Sequence, residues 1–286
     1  MIYADDIQLF ITTSAAELTK SVKKMEGCIL GVQRWQADRL LILNLAKTDA
    51  ILLGTSQQLK KCDVTELIVC NTSIPISSTV RDLGVILDSS LSWQPHVGRV
   101  CASAFNHLRL VSRMKKSLCR KHRLMSIHAL VLSRLDYCAP LLTGISDKLL
   151  GKLQLVLNAS MRAALGIRKH DSVSQHMKDL EWLSAEKKSY YRAIWLLVSV
   201  MTNSSPKYLQ THLIQYALSR SLRSQSASSL VAKRTRTAVA DRAFRNFAPR
   251  IWNELPLSVH HNTSKKVLLK RLKRRLLDPD NHALCV

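Results

Sequence analysis

The sequence predicts an α+β protein, and three observations predict it. Residues 1–92 alternate short apolar runs with turn residues, as antiparallel β-hairpins do, and carry one long apolar stripe at helical spacing. From Trp93 onward the β-signals nearly vanish and apolar residues recur at steps of three and four. Charge changes at the same point: residues 1–92 hold 9 Lys and Arg against 10 Asp and Glu, whereas residues 93–286 hold 34 against 10. The expected architecture is antiparallel hairpins plus one packed helix over 1–92, a mainly helical region over 93–170, a helical continuation over 171–217, and a basic arm with a C-terminal helical region over 218–286.

Taken in order, Met1-Ile2-Tyr3-Ala4-Asp5-Asp6 followed by the alternating run Ile7–Thr12 reads as a hairpin. Ile7, Leu9 and Ile11 share one face, and the Asp5 and Asp6 carboxylates sit at the tight turn. Paired carboxylates offer the hard oxygens that Mg²⁺ prefers; a turn also favours Asp for its own geometry. Ser14-Ala15-Ala16-Glu17 has the spacing of a capping box, which starts a helix whose stripe is Leu18, Val22, Met25, Ile29, Val32 and Trp35. Leu40–Gly54 reads as two short strands around a polar corner that holds Lys47. Thr55–Glu66 is polar and reads as a loop. Leu67–Cys70 and Ser73–Ile76 form a hairpin about Asn71-Thr72, and Val80–Asp88 reads as strand, with Gly84 permitting close backbone approach.

Three helices are expected next. The first places Val97, Val100/Cys101, Ala104, Leu108, Val111 and Met114 inward, with Arg99, His107, Arg109, Arg113, Lys115 and Lys116 around it. The second runs from about Lys121 to Tyr137, and its His128 reads as a core or helix-surface residue because no partner stands at metal spacing. Ser146 caps the third, and Gly166 suits its end. A fourth helix spans Ser184–Met201, and Pro206 starts a short one. Leu218–Ala240, rich in Ser, Arg, Lys and Thr, reads as a partly disordered linker or basic arm. Ser264–Leu277 is a basic amphipathic helix, for which nucleic acid is the first partner and a membrane surface the second.

Several classes are excluded. The seven cysteines form no C-x-x-C and follow no signal peptide, which speaks against a disulfide framework or zinc knuckle and for reduced thiols inside the cell. The longest strongly apolar run, Ala193–Met201, is far shorter than the roughly 20 residues that span a bilayer. No P-loop, Ser-His-Asp order, dinucleotide fingerprint or internal repeat is present. The basic excess of the later part calls for a polyanionic partner, nucleic acid first and an anionic membrane second.

Tyr3-Ala4-Asp5-Asp6 between hydrophobic strands resembles the catalytic hairpin of reverse transcriptases. Leu43-Asn44-Leu45-Ala46-Lys47-Thr48, Val80–Asp88, His128–Cys138, Leu153–Arg162, Asn203–Leu209 and Ala248–Pro256 together resemble, in that order, stretches of the enzymes of LINE-type, non-LTR retrotransposons. The resemblance implies a partial polymerase palm over 1–92, a helical thumb over 93–170, and RNA-directed DNA polymerase activity by two-metal nucleotidyl transfer. It implies Mg²⁺, or Mn²⁺, held partly by Asp5 and Asp6; a leaving-group role for Lys47, for which a surface lysine is the equal alternative; and contact of Tyr3 and Gly84 with the primer. Arg109, Arg113, Lys115 and Lys116 are the candidate nucleic-acid contacts of the thumb. An RNA template, a DNA primer and their hybrid are the implied partners, in the nucleus or a cytoplasmic ribonucleoprotein. In that family a further metal-binding Asp, the fingers and the template channel precede the hairpin. The chain is therefore expected to correspond to the carboxyl part of such an enzyme and to be inert alone, the alternative being a noncatalytic nucleic-acid-binding protein derived from one. The family's Gly before Asp241 is Ala240 here, a difference that bears on whether that corner needs a positive φ.

Overall fold

Short strands need a turn that brings them together, and the first unit is built from such turns. The computed structural model describes residues 2–3, 6–203, 206–216, 229–255 and 265–277. It is a mixed α and β structure, mainly helical with small sheets. The chain divides into two compact units, residues 1–96 and 97–286.

In the first unit β1 (Ile2–Tyr3) pairs antiparallel with β2 (Asp6–Ile7), with Ile2 opposite Ile7 and Tyr3 opposite Asp6. The alternation continues to Thr12 but the β1–β2 ladder ends at Ile7, and Phe10 is left 82% exposed. The Gln8 amide instead donates to Asp82 at 2.5 Å. Helix α1 (Leu18–Ala37) follows a 3₁₀ turn at Ala15–Glu17. The expected capping box is not formed; Ser14 accepts the Glu17 amide through its main-chain carbonyl, at 3.1 Å, and not through its hydroxyl. Ile29 of α1 buries against Val69 and Ile74, with Met25, Leu43, Leu45 and Ala50 around them. Trp35, at the end of the stripe, stays partly exposed beneath the Arg39 guanidinium, 4.1 Å from the ring centre.

Of the two strands expected over Leu40–Gly54 only β3 (Ala50–Ile51) exists, and it runs parallel to its neighbour. Leu40 takes φ +58° and is 95% exposed, and Ile42 is 94% exposed. Apolar composition cannot hold a strand where no ladder partner lies beside it. The expected loop contains a helical turn, α2 (Ser56–Leu59), closed by a Thr55–Gln58 capping box. Strands β4 (Glu66–Val69) and β5 (Thr72–Ser77) form the expected hairpin one residue out of phase: the turn residues are Cys70 and Asn71, at φ +51° and +58°. The single strand expected near Gly84 is a second hairpin, β6 (Thr79–Asp82) with β7 (Val85–Asp88). Its turn is Leu83-Gly84, at φ +43° and +85°, a geometry that suits glycine.

Asp88 pins the chain after β7. Its carboxylate accepts the main-chain N–H groups of Ser92 and Trp93, each at 2.9 Å, and the Ser90 hydroxyl at 2.7 Å. These bonds hold a corner in which Leu91 and Trp93 both have positive φ. His96 is buried against Trp93 and accepts the Ile86 N–H at 3.3 Å.

The second unit is helical. Helix α3 (Gln94–Arg113) buries Val97, Cys101, Ala104, Leu108 and Val111; Met114, expected inside, is exposed. Helix α4 (Arg120–Ile127) passes through a π turn at His128–Leu132 into α5 (Ser133–Asp136), so the single expected helix carries an irregularity that periodicity did not disclose. Helix α6 (Asp147–Leu165) ends at Gly166 in the left-handed conformation, as expected. After α7 (Ser174–Asp179) comes the central helix α8 (Ala185–Asn203), whose apolar run buries Ala193, Ile194, Leu197, Val198 and Val200. Pro206 precedes α9 (Lys207–Gln210) as its N-cap. Asp136 receives Lys188 at 3.1 Å and Arg192 at 3.0 Å, which ties α5 to α8; burial holds the Lys188 pKa below its ordinary value despite that carboxylate.

Helices α10 (Ala238–Asp241), α11 (Phe244–Glu254) and α12 (Lys265–Leu277) follow among the described residues. The expected disordered arm lies partly outside the described residues, but its end is docked: Leu230 is 2% exposed, and both groups of its main chain bond to the Asn253 side-chain amide, at 2.9 and 2.8 Å. Ala240 sits within α10 and needs no positive φ. The apolar face of α12, Leu268, Leu269, Leu272 and Leu276, is buried in the core around α8, which removes the membrane alternative for that face. Among the described residues no helix is long and apolar enough to cross a membrane.

Burial alone would raise the Asp88 pKa, but the Ser92, Ser90 and Trp93 donors outweigh it and hold the carboxyl below its ordinary value. Its stabilising contribution is therefore fully present above the ordinary Asp pKa of about 4 and fades as pH falls through the lower folded-state value. Asp88→Ala is expected to cost about 1–3 kcal/mol at pH 7. In urea unfolding followed across pH, the gap between the two proteins should close only at acid pH; a gap independent of pH would contradict the assignment.

Candidate functional site

The acidic hairpin and the basic helices are the two candidate regions, and each belongs to a different unit. In the first, Asp6 is exposed on β2 and faces Tyr3 across the ladder; Asp5 lies outside the described residues, as does the side chain of Tyr3. The bond from Gln8 to Asp82 joins the segment after β2 to the hairpin that turns at Gly84. The structure thus brings together two stretches 74 residues apart in sequence that the resemblance assigns to one site. Lys47 is exposed at the end of a 3₁₀ turn, Leu45–Lys47, and not at a strand corner.

Metal binding can be tested on the donor set. Asp6 offers a hard, exposed carboxylate, but among the described residues no group of three or more His, Cys, Asp or Glu side chains gathers to hold a metal ion. Two ions held at roughly 3.5–4 Å need several carboxylates from more than one element. The described donors do not by themselves fit such a site.

The basic region is better furnished. Arg109, Arg113, Lys115 and Lys116 are all exposed at the carboxyl end of α3 and just beyond it, and Arg120 and Lys121 continue the series into α4 with no acid between them. Lys115 reaches the carbonyl of Gly166 at 3.4 Å, where the unpaired carbonyls of the α6 terminus favour a cation. Arg123 lies over the same glycine. The connection between α3 and α4 and the end of α6 therefore form one cationic corner, with Arg168 and Lys169 just past Gly166 in the chain. On α12, Lys266, Lys270, Arg271 and Arg274 lie away from the buried leucines, whereas Lys273 is engaged by Glu181 at 2.9 Å and Lys265 lies 4.5 Å from the Trp195 ring centre.

No protein-family model matches the chain, and no curated protein or solved structure is significantly similar to it.

Arg109, Arg113, Lys115 and Lys116 are thus part of a larger set of exposed cations. Sequence spacing identified Arg109, Arg113, Lys115 and Lys116 but not the cations gathered with them at Gly166, because that convergence joins residues 51 apart. The one signal for it was Gly166 itself, legible as a helix end.

Gly166 has φ +76°, and a Cβ there would stand 3.1 Å from the Arg123 guanidinium and 3.3 Å from the Lys115 stem. Gly166→Ala is expected to cost about 1 kcal/mol or more through the left-handed backbone and to push both cations away. Thermal unfolding gives the first effect. Unchanged stability would mean that the corner is looser than described.

Proposed function

We propose that the chain is the carboxyl part of a reverse transcriptase of a non-LTR retrotransposon, comprising part of the palm and a helical thumb, and that its second unit holds an RNA template, DNA primer or their hybrid. The observation that carries the proposal is the hairpin β1–β2: Tyr3 and Asp6 pair across it, and the adjoining Gln8 bonds to the hairpin of Gly84. The order of the other family-like stretches supports it. A noncatalytic nucleic-acid-binding protein derived from such an element is the second reading. It is favoured by the basic surface that the second unit supplies.

Both readings require polyanion binding by residues 97–286. Exposed lysines and arginines exchange the counterions of the phosphates they meet, so affinity should fall steeply with salt and depend little on base sequence. Replacing Arg109, Arg113, Lys115 and Lys116 with Gln is expected to weaken RNA binding and flatten the slope of log affinity against log salt by roughly 0.7 for each phosphate that is no longer neutralised. Fluorescence anisotropy over a salt series measures both. Equal affinity for a polyglutamate chain would remove nucleic acid as the partner.

Catalysis separates the two readings. The chain alone is expected not to extend a DNA primer on an RNA template with Mg²⁺ or Mn²⁺, since positioning and electrostatic stabilisation each supply several kcal/mol and both need groups beyond one turn. Extension that disappears in Asp5→Ala would establish a working polymerase. With further enzyme segments supplied, the same Asp5 dependence is the outcome expected of the first reading.

A further inference from the structure

The basic corner contains a nucleophile with a proton acceptor beside it. Cys119 is the N-cap residue of α4, and its sulfur stands 3.2 Å from Nδ1 of His122, one turn along. Both side chains are exposed. Lys115, Lys116, Arg120 and Lys121 lie within four residues of the thiol, all exposed, with no acid among them.

Cys62, Cys70 and Cys101 differ in chemistry. Cys62 and Cys70 direct their thiols at oxygen atoms, the carbonyl of Gln58 at 3.3 Å and the side chain of Gln33 at 2.8 Å, neither of which can take a proton at neutral pH. Cys101 is buried, and burial pushes its thiol pKa up. Cys119 instead faces a ring nitrogen that accepts when the imidazole proton is on Nε2. Thiolates are the reactive form of cysteine, and a base within hydrogen-bond reach can generate one at the moment of attack.

We propose that Cys119 and His122 form a thiol–disulfide exchange site for an anionic low-molecular-weight disulfide, and that the resulting adduct weakens nucleic-acid binding by the surrounding cations. The second clause rests on the function proposed above. In the exchange, His122 Nδ1 takes the proton from the Cys119 Sγ. The sulfur then attacks one sulfur of the disulfide, whose S–S bond breaks as the new one forms. The departing thiolate takes up the proton from His122. One thiol and one disulfide give one mixed disulfide and one thiol, so no other oxidant is needed. With glutathione disulfide the adduct adds a net negative charge among the cations, and the anionic reagent is drawn to them over a distance set by salt.

The probe is glutathione disulfide with the whole chain, and the site of modification is read by peptide mass spectrometry. Cys119 is expected to react at least about tenfold faster than Cys28 or Cys70, both exposed. That advantage should shrink in high salt, with the neutral disulfide of 2-mercaptoethanol, and in His122→Gln. Modification should lower RNA affinity in the unaltered chain and leave Cys119→Ser unaffected. Equal rates at the three cysteines would overturn the site. Selective modification with unchanged RNA affinity would overturn the switch. A chain that bound no RNA at all would defeat the proposed function and the switch while the labelling rates still decided the exchange site.

Discussion

Everything in the second unit depends on α8 staying dry. A unit with so large a cationic excess repels itself, and the opposing force is burial around one helix. Ile194, Leu197 and Val198 are enclosed by Leu230, Ile251, Trp252, Leu268 and Leu272, drawn from segments far along the chain. Each such side chain contributes about 1.5–3 kcal/mol when removed from water. The cations are consequently forced outward, and the basic faces follow from the packing as much as from the composition. Asp136 is the exception beside the same helix: it draws Lys188 and Arg192 inward and so fixes where α5 meets α8.

Among the described residues the first unit gathers a smaller cluster. Ile29, Val69 and Ile74 form its local core, and Phe10, Leu40, Leu41 and Ile42 remain at the surface. Its order rests on short-range devices: two-residue turns, the Thr55–Gln58 cap and the Asp88 corner. Such devices fix local geometry strongly and long-range geometry weakly, which explains how a hairpin two residues deep persists beside a run of exposed apolar side chains. The bond from Gln8 to Asp82 is a long-range tie, as is that from the Ile68 N–H to Glu26.

What was legible in the sequence follows the same division. Helices α1, α6 and α8 were readable as elements, and α6 to its end, because Gly166 and the apolar periods are local signals. The strands at Leu9–Ile11 and Leu40–Leu43 were misread, since alternation reports a preference and only a partner strand satisfies it. Asn253 and Trp252 stood out in the sequence as members of a family-like stretch; their observed work is structural, in holding Leu230 and closing the core. For the candidate site, Asp6 and Gly84 could be named from the resemblance, and the cations on and just after α3 from the basic surplus around that helix. The meetings of Gln8 with Asp82, Lys115 with Gly166 and Cys119 with His122 could not: the first two join distant stretches, and the third depends on where α4 begins.

The π turn at His128–Leu132 has an effect on phase. A π turn holds one residue more than an α turn, and each residue advances an α-helix by about 100°. Residues Ser133–Asp136 are therefore rotated relative to α4 by that amount, and it is this rotation that aims Asp136 at Lys188 and Arg192. A chain shorter by one residue in this turn would keep the same helix, nearly the same composition and the same charge, yet would point its acid elsewhere. Spacing on either side of the turn is thus counted in two different frames, and alignments that slide one residue across it exchange a half-buried ion pair for an exposed side chain.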